Sequence, residues 1–443
     1  MAKLLWQGTS WKYPGGRHDS NYRRSGIGSI AIRVFNGIDG LVWESSPGIS
    51  CTSCFMYSRL CTCCQASISA RRYDEIRSEF GGVMRTANMG IGVVGVGFGT
   101  VVQIPGFQDE GIEVVAVCSR RIARAQKAAE DFNIPYYFDD YRELIARDDV
   151  DAVSIVTPPA LHYPIAMAAL KAGKHVLCEK PFALNAMQAF DLHKAARETD
   201  CTVMITHEFR WSPQRAYIKS LIEEGYLGKM KLASIRLFFG PSEGVRPRPA
   251  TWALDASQGG GVLFALGSHY IDALRHWFGE VSSVEGHVWT HYPERVDESE
   301  METQASADDT FTFTLEFQDG GFATMHGSSV APHGGGARID LFGTDGTLVA
   351  LQPGVNPPPD GGVLGARVGS AGLQELVMPG KFCPFEDQRD GRSMPFRLLV
   401  REFVAGIESG ISPSPNFYDG WKTQQILDGI LESSRKGEAV KLN

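Results

Sequence analysis

The stretch that most constrains the fold is residues 90–100, "GIGVVGVGFGT". A short apolar strand runs into Gly95, Val96, Gly97, Phe98, Gly99 and Thr100. A helix-compatible run follows, and a second apolar strand, "IEVVAVCS" from Ile112, closes a βαβ unit. Gly95 permits a tight turn, and Gly97 lets the backbone come close to a pyrophosphate. The N–H groups of the following helix then face that anion. Thr100 occupies the third fingerprint position, where the pattern has Gly or Ala. The bland alternative is a glycine-rich turn without a ligand; the position between strand and helix favours the nucleotide.

The end of the second strand bears on which nucleotide. An acid there would bond the adenosine ribose hydroxyls and favour NAD. This chain has Ser119, Arg120 and Arg121 instead. A hydroxyl and two guanidinium groups suit a 2′-phosphate, so NADP is the expected cofactor. NAD stays open, because one arginine stacked on adenine would serve either.

Strands and helices continue to alternate: "RIARAQKAAEDF", "DAVSIVT", "LHYPIAMAALKAG", "KHVLCE", "NAMQAFDLHKAARETD" with Asn185 as N-cap, and "TVMITH". This is the pattern of an α/β chain with a parallel, doubly wound sheet, whose ligand crevice lies at the carboxyl ends of the strands. Thr157-Pro158-Pro159 and Glu179-Lys180-Pro181 both fall at such ends. Lys180 would then reach the reacting end of the cofactor. Removing a hydride from a carbinol carbon requires the hydroxyl proton to leave, and a lysine can take that proton or stabilise the oxygen. Glu179 would position the lysine or bind ribose hydroxyls. An ordinary Glu–Lys pair at a surface turn is the competing reading.

Three segments, "VVGVGFGT", "TPPALHYPIAMAALKAGKHVLCEKPFAL" and "GGGVLFALGSHYID", resemble the Gfo/Idh/MocA oxidoreductases, over a span running from about Met89 to the C-terminus. The resemblance implies an N-terminal Rossmann domain over 89–207. It implies an α/β domain over 208–443 with a large open, mostly antiparallel mixed sheet, which would bind substrate and mediate oligomerisation as a dimer or tetramer. The implied activity is NAD(P)-dependent hydride transfer on a sugar, polyol, inositol or similar cyclic hydroxy or keto compound. Lys180 becomes the catalytic lysine, with His269 as its proton partner. His162 and Arg210 fall where relatives meet cofactor or substrate; Glu208 and Trp252 are candidates for the substrate pocket. Relatives commonly carry Asp where this chain has Ala265. If Val262 onward is helical, Ala265, His269, Asp272 and His276 share a face, and Asp272 could orient His269. Two alternatives stay open: the missing acid keeps alive a catalytically silent nucleotide-binding regulator of the same fold, and the resemblance also admits a lyase or glycosidase that oxidises its substrate transiently.

Later strands are expected at "KLASIRLFF", "VSSVEGHVWT", "DTFTFTLEF", "GFATMHGSSV", "ARIDLFG" and "GTLVAL". A Gly/Pro-rich loop is expected over about 355–372, and two helices close the chain. A net charge of -8 argues against nucleic-acid binding, and no run of ~18 apolar residues suggests a membrane span. Cys118, Cys178, Cys201 and Cys383 read as reduced thiols of a cytoplasmic protein. His287, His291, His326 and His333 lack metal-ligand spacing, so no metal is expected.

Residues 1–88 differ from the rest. They hold eleven Lys and Arg against six Asp and Glu, with Cys51, Cys54, Cys61, Cys63 and Cys64 in one cluster and little periodic patterning. The cluster lacks the second knuckle of a zinc site. The segment reads as an unstructured leader or a gene-model artefact, with Met84 and Met89 as alternative starts. A mitochondrial leader is the other option, since the first eighteen residues hold bases and no acid.

Overall fold

The first sheet has six parallel strands; all but the edge strand Tyr136–Phe138 are buried along most of their length, because helices cover both faces. They are β1 (Gly90–Val94), β2 (Glu113–Cys118), β3 (Tyr136–Phe138), β4 (Ala152–Ile155), β5 (His175–Cys178) and β6 (Val203–Ile205), in the order β3-β2-β1-β4-β5-β6. The order reverses between β1 and β4, so a crevice opens at their carboxyl ends. The covering helices are α1 (Ile104–Asp109), α2 (Ile122–Phe132), α3 (Tyr141–Ile145), α4 (His162–Lys171) and α5 (Ala186–Ala196). Asn185 caps α5 as expected, its side chain accepting from the Gln188 N–H at 3.0 Å. The computed structural model describes residues 89–241, 251–296, 302–354 and 362–442. The leader expected over 1–88, its cysteine cluster and Met84 lie outside the described residues.

A short turn, Glu208–Trp211, leads from β6 into α6 (Pro213–Glu223) and the second sheet. Its strands are β7 (Met230–Phe238), β8 (Val281–Trp289), β11 (Thr310–Phe317), β12 (Phe322–Ser328), β13 (Gly336–Gly343), β14 (Gly346–Gln352), β15 (Val363–Arg367), β16 (Gln374–Leu376) and β17 (Val440–Lys441). A separate hairpin holds β9 (Glu294–Val296) and β10 (Glu302–Gln304). The nine-stranded order is β16-β15-β14-β13-β7-β12-β11-β8-β17. Every neighbouring pair is antiparallel except β7 with β12, which run parallel. The sheet is therefore mixed and mostly antiparallel, as expected.

Two-residue alternation sets its faces. Ala233, Ile235 and Leu237 on β7 and Phe311 and Phe313 on β11 are buried in one cluster with Ile218 of α6, Ile271 and Leu274 of α7 (Ser268–Phe278), and Ile426 and Ile430 of α9 (Phe417–Lys436). The preceding helix, α8 (Ser393–Ser409), packs instead on the first sheet: Phe396, Leu399, Val400 and Phe403 are buried with Ile91, Ile104 and Phe107. The first domain's core is thus completed by the C-terminal third of the chain.

One expectation needs correction. The segment read as a continuous Gly/Pro-rich loop contains β15, whose Val363 and Leu364 pair with Ala350 and Val349 of β14. Pairing with a partner already in the sheet overrides a local composition that signals a loop. Val355 to Gly361, the start of that segment, lies outside the described residues.

Candidate active site

The glycine turn follows β1. Gly95 has φ 119°, and a Cβ there would sit 2.2 Å from the Val156 carbonyl oxygen, so only glycine lets β1 and the end of β4 approach this closely. Gly97 differs: an added Cβ would meet nothing within 4 Å, because it points into open space. That space is a cleft of ≈ 920 Å³ along the carboxyl edge of the sheet. Gly95, Gly97, Phe98, Ser119, Arg120, Arg121, Thr157, Pro158, Glu179, Lys180, Glu208, Trp252 and His269 all line it. These positions lie far apart in sequence, and the sheet edge gathers them.

Two fingerprint residues lie behind that surface. Gly99 is buried at the start of a π-turn, Gly99–Gln103, and the Thr100 hydroxyl donates back to the Gly97 carbonyl at 3.0 Å. Thr100 thus ties the turn together instead of facing the cleft. At the other end, Ser119 Oγ accepts from the Arg121 N–H at 3.4 Å, and Arg124, Asp139 and Tyr141 join the lining.

The edge of β5 is held by a buried chain of hydrogen bonds. The Ser154 hydroxyl on β4 donates to Gln103 Oε1 at 2.5 Å, and Gln103 Nε2 donates to Glu179 Oε1 at 2.7 Å. Glu179 Oε2 accepts from the Lys180 N–H at 3.2 Å, and the Lys180–Pro181 peptide is cis. Glu179 is fixed before any ligand arrives. Lys180 Nζ extends across the cleft and donates to the Ala265 carbonyl at 3.0 Å. Ala265 belongs to a π-turn, Leu263–Gly267, in place of the α-helix expected from Val262; regular helix begins at Ser268. π-turns widen a helix and recur at functional sites.

His269 lies one turn further on, 3% exposed. Its ring stacks on Phe209 at 3.8 Å between centroids and 10° between planes, and its Nδ1 has no partner. Burial and the Lys180 charge hold its pKa well below the usual histidine range, so the ring is neutral. Glu208 is buried opposite, with Oε2 unpartnered. Burial and the neighbouring Glu179 charge push its carboxyl up from the usual carboxylate range. The orphaned Oγ1 of Thr157 is a third buried polar atom without a partner. Unpartnered polar atoms, an open glycine face and arginines at the β2 end fit a dinucleotide lying along the edge. Among the described residues no group of three or more His, Cys, Asp or Glu could hold a metal ion.

Three candidates stand elsewhere. His162 is completely buried, with its ring nitrogens 2.9 Å from the Pro181 carbonyl and 2.8 Å from the Thr157 carbonyl. Burial pulls its pKa down to about 4. It braces the ends of β4 and β5 and does not line the cleft. Arg210 and Asp272 form a buried pair, with Nε–Oδ2 at 2.7 Å and Nη2–Oδ1 at 2.6 Å. Asp272 therefore binds Arg210 and does not orient His269. Sequence reading also missed Gln103, Phe209 and Arg392. A polar residue in an otherwise apolar helix face, "TVVQIPGF", was the available signal for Gln103; Arg392, from the far end of the chain, had none.

Residues 89–207 match the model described as "Oxidoreductase family, NAD-binding Rossmann fold", and residues 216–349 match the GFO/IDH/MocA C-terminal domain. An uncharacterised oxidoreductase of Synechocystis sp. is 31% identical over 347 residues, 78% of this chain and 93% of that protein. The chain belongs to the Gfo/Idh/MocA oxidoreductase family. Levoglucosan dehydrogenase of Pseudarthrobacter phenanthrenivorans is 28% identical over 336 residues, 70% of this chain and 85% of that protein. A solved levoglucosan dehydrogenase in complex with NADH and levoglucosan superposes with a TM-score of 0.72 at 26% identity, covering 80% of this chain and 99% of that one. The chain is thus an oxidoreductase with an NAD-binding Rossmann domain.

Membership of this family makes the glycine face testable. Gly97→Val should weaken binding of the reduced nucleotide at least tenfold, about 1.4 kcal/mol, because a side chain would fill the space at the turn. Stability should change little, since a Cβ there meets no atom within 4 Å. Nucleotide fluorescence titration beside thermal melting checks both halves.

Proposed function

We propose that this Gfo/Idh/MocA enzyme transfers hydride between a nicotinamide cofactor, with NADP favoured, and a CH–OH or carbonyl carbon of a sugar, polyol or inositol-like substrate. Lys180 is the acid/base. The observation that carries this reading is the Lys180 ammonium, which leaves the β5 edge and donates to the Ala265 carbonyl in a cleft that also contains the glycine turn. The nicotinamide ring, when bound, supplies the hydride chemistry. The protein's work is to hold the substrate oxygen and move its proton. Lys180 has a backbone carbonyl as its hydrogen-bond partner, so it exchanges that weak partner for a substrate hydroxyl without losing a strong ion pair. Neutral His269 and the buried carboxyl of Glu208 offer further hydrogen bonds to a polyhydroxylated ring. Trp252, 45% exposed in the cleft, offers an aromatic face to the ring's C–H groups.

The NADP preference rests on Ser119, Arg120 and Arg121. The cytoplasmic assignment rests on the free thiols of Cys118, Cys178, Cys201 and Cys383. Assembly through the second sheet is supported by an apolar cross-strand row, Phe322–Leu232–Phe342, in which Phe322 is 41% and Phe342 36% exposed.

A panel of sugars, polyols and inositols, each with NADP or NAD and followed by reduced-nucleotide absorbance, tests the proposal. We expect turnover on at least one cyclic polyol, faster with NADP, and a shift towards NAD in Arg120→Ala. Nucleotide binding with no turnover on any substrate would instead favour the regulatory role. Product formation without net reduction would favour transient oxidation.

A further inference from the structure

We propose that Arg392, on the segment that enters α8, is the cationic ligand of the cofactor's diphosphate, an inference that rests on reading the cleft as a nucleotide site. The diphosphate is anionic, yet the turn from Gly95 to Thr100 contains no base. The other cations lining the cleft stand at its two ends: Arg120, Arg121 and Arg124 beyond β2, and Lys180 at the tip of β5. Arg392 lies between them. Its guanidinium carbon stands 4.6 Å over the ring of Phe98, inside the glycine turn itself. The guanidinium also lies close enough to the Glu179 carboxylate to feel its charge.

The side chain is already oriented. Nε and Nη2 each donate to the Asp390 carboxylate at 2.7 Å, and the aromatic face of Phe98 supports the plane. A guanidinium has five N–H groups, so those not facing Asp390 remain for an anion. A fork held on one side by a carboxylate and on another by a ring loses little freedom when it binds phosphate oxygens. Its backbone is anchored as well: Phe396 packs edge-on against Phe107 of α1 at 5.3 Å, and the Arg397 Nε donates to Glu110 at 2.7 Å. The C-terminal third of the chain therefore delivers a rigid cation to a turn that has none.

Calorimetric titration with ADP-ribose and with adenosine tests this without turnover. Arg392→Met keeps the apolar stem and removes the fork. ADP-ribose affinity should fall roughly 10–100-fold, adenosine affinity should stay at the wild-type value, and Arg392→Lys should recover part of the loss. ADP-ribose affinity within about threefold of wild type, the effect of an exposed ion pair, would overturn the assignment. So would an equal loss for adenosine, which would make Arg392 a structural clasp. Wild-type protein that binds neither ADP-ribose nor reduced nucleotide would overturn the nucleotide reading itself, a result distinct from either of these.

Discussion

Lys180→Ala is expected to lower turnover roughly 10²–10⁴-fold, the range for loss of a positioned acid/base, while nucleotide affinity changes little. The reason is geometric. Among the described residues the Ala265 carbonyl is the hydrogen-bond partner of Lys180 Nζ, so removing the side chain leaves Glu179, Gln103 and Ser154 bonded as before. Glycine-turn binding should therefore survive. Lys180→Arg, which keeps the charge but hardly gives up a proton, should remain impaired. If the role were electrostatic alone, that variant would recover most of the activity. Rapid-quench turnover and fluorescence titration on the same preparations separate the two effects. Wild-type turnover in Lys180→Ala would end the acid/base assignment.

The second large effect concerns stability. Asp272→Ala should cost about 3–5 kcal/mol, the usual loss when one partner of a buried ion pair is removed. Arg210 is 8% exposed, and its remaining acid, Asp419, lies 3.5 Å away and is shared with Arg275. The pair also joins the turn after β6 to α7 and to the first turn of α9, so its loss loosens three elements together. Burial works against the Asp272 charge, but Arg210 and His207 hold its carboxyl well below the ordinary range. A depressed folded-state pKa means the stabilisation is complete above ~4, the unfolded value, and is lost as pH falls towards the folded one. The wild type should therefore lose stability below about pH 4 more steeply than Asp272→Ala does. Replacing both partners with apolar residues should be far milder than either single change. Denaturant titrations across pH measure all of this. A stable Asp272→Ala protein with altered turnover would restore Asp272 as the orienter of His269.

The parallel sheet, the glycine turn and the lysine at the end of β5 were legible in the chain because each rests on local chemistry. Buried parallel strands need continuous apolar runs, a tight turn needs glycine at Gly95, and a sheet edge exposes whatever follows the strand. The mostly antiparallel second sheet was legible in outline from alternation. Its parallel β7–β12 pair and the strand inside the Gly/Pro-rich segment were not, since register depends on partners far away in sequence. The site divided along the same line. Asp272 and His269 sit three apart on one helix, which permits contact, but spacing cannot tell which neighbour wins. Arg210, arriving from another element, took the carboxylate, while Phe209 took the histidine's face. His162 carried a plausible pattern and proved to be a brace, and Arg392 carried no pattern at all. Short-range sterics and burial periodicity are written along the chain; competition among polar groups for partners is resolved only when the two domains close on each other, because a buried hydrogen bond goes to whichever group packing brings within reach.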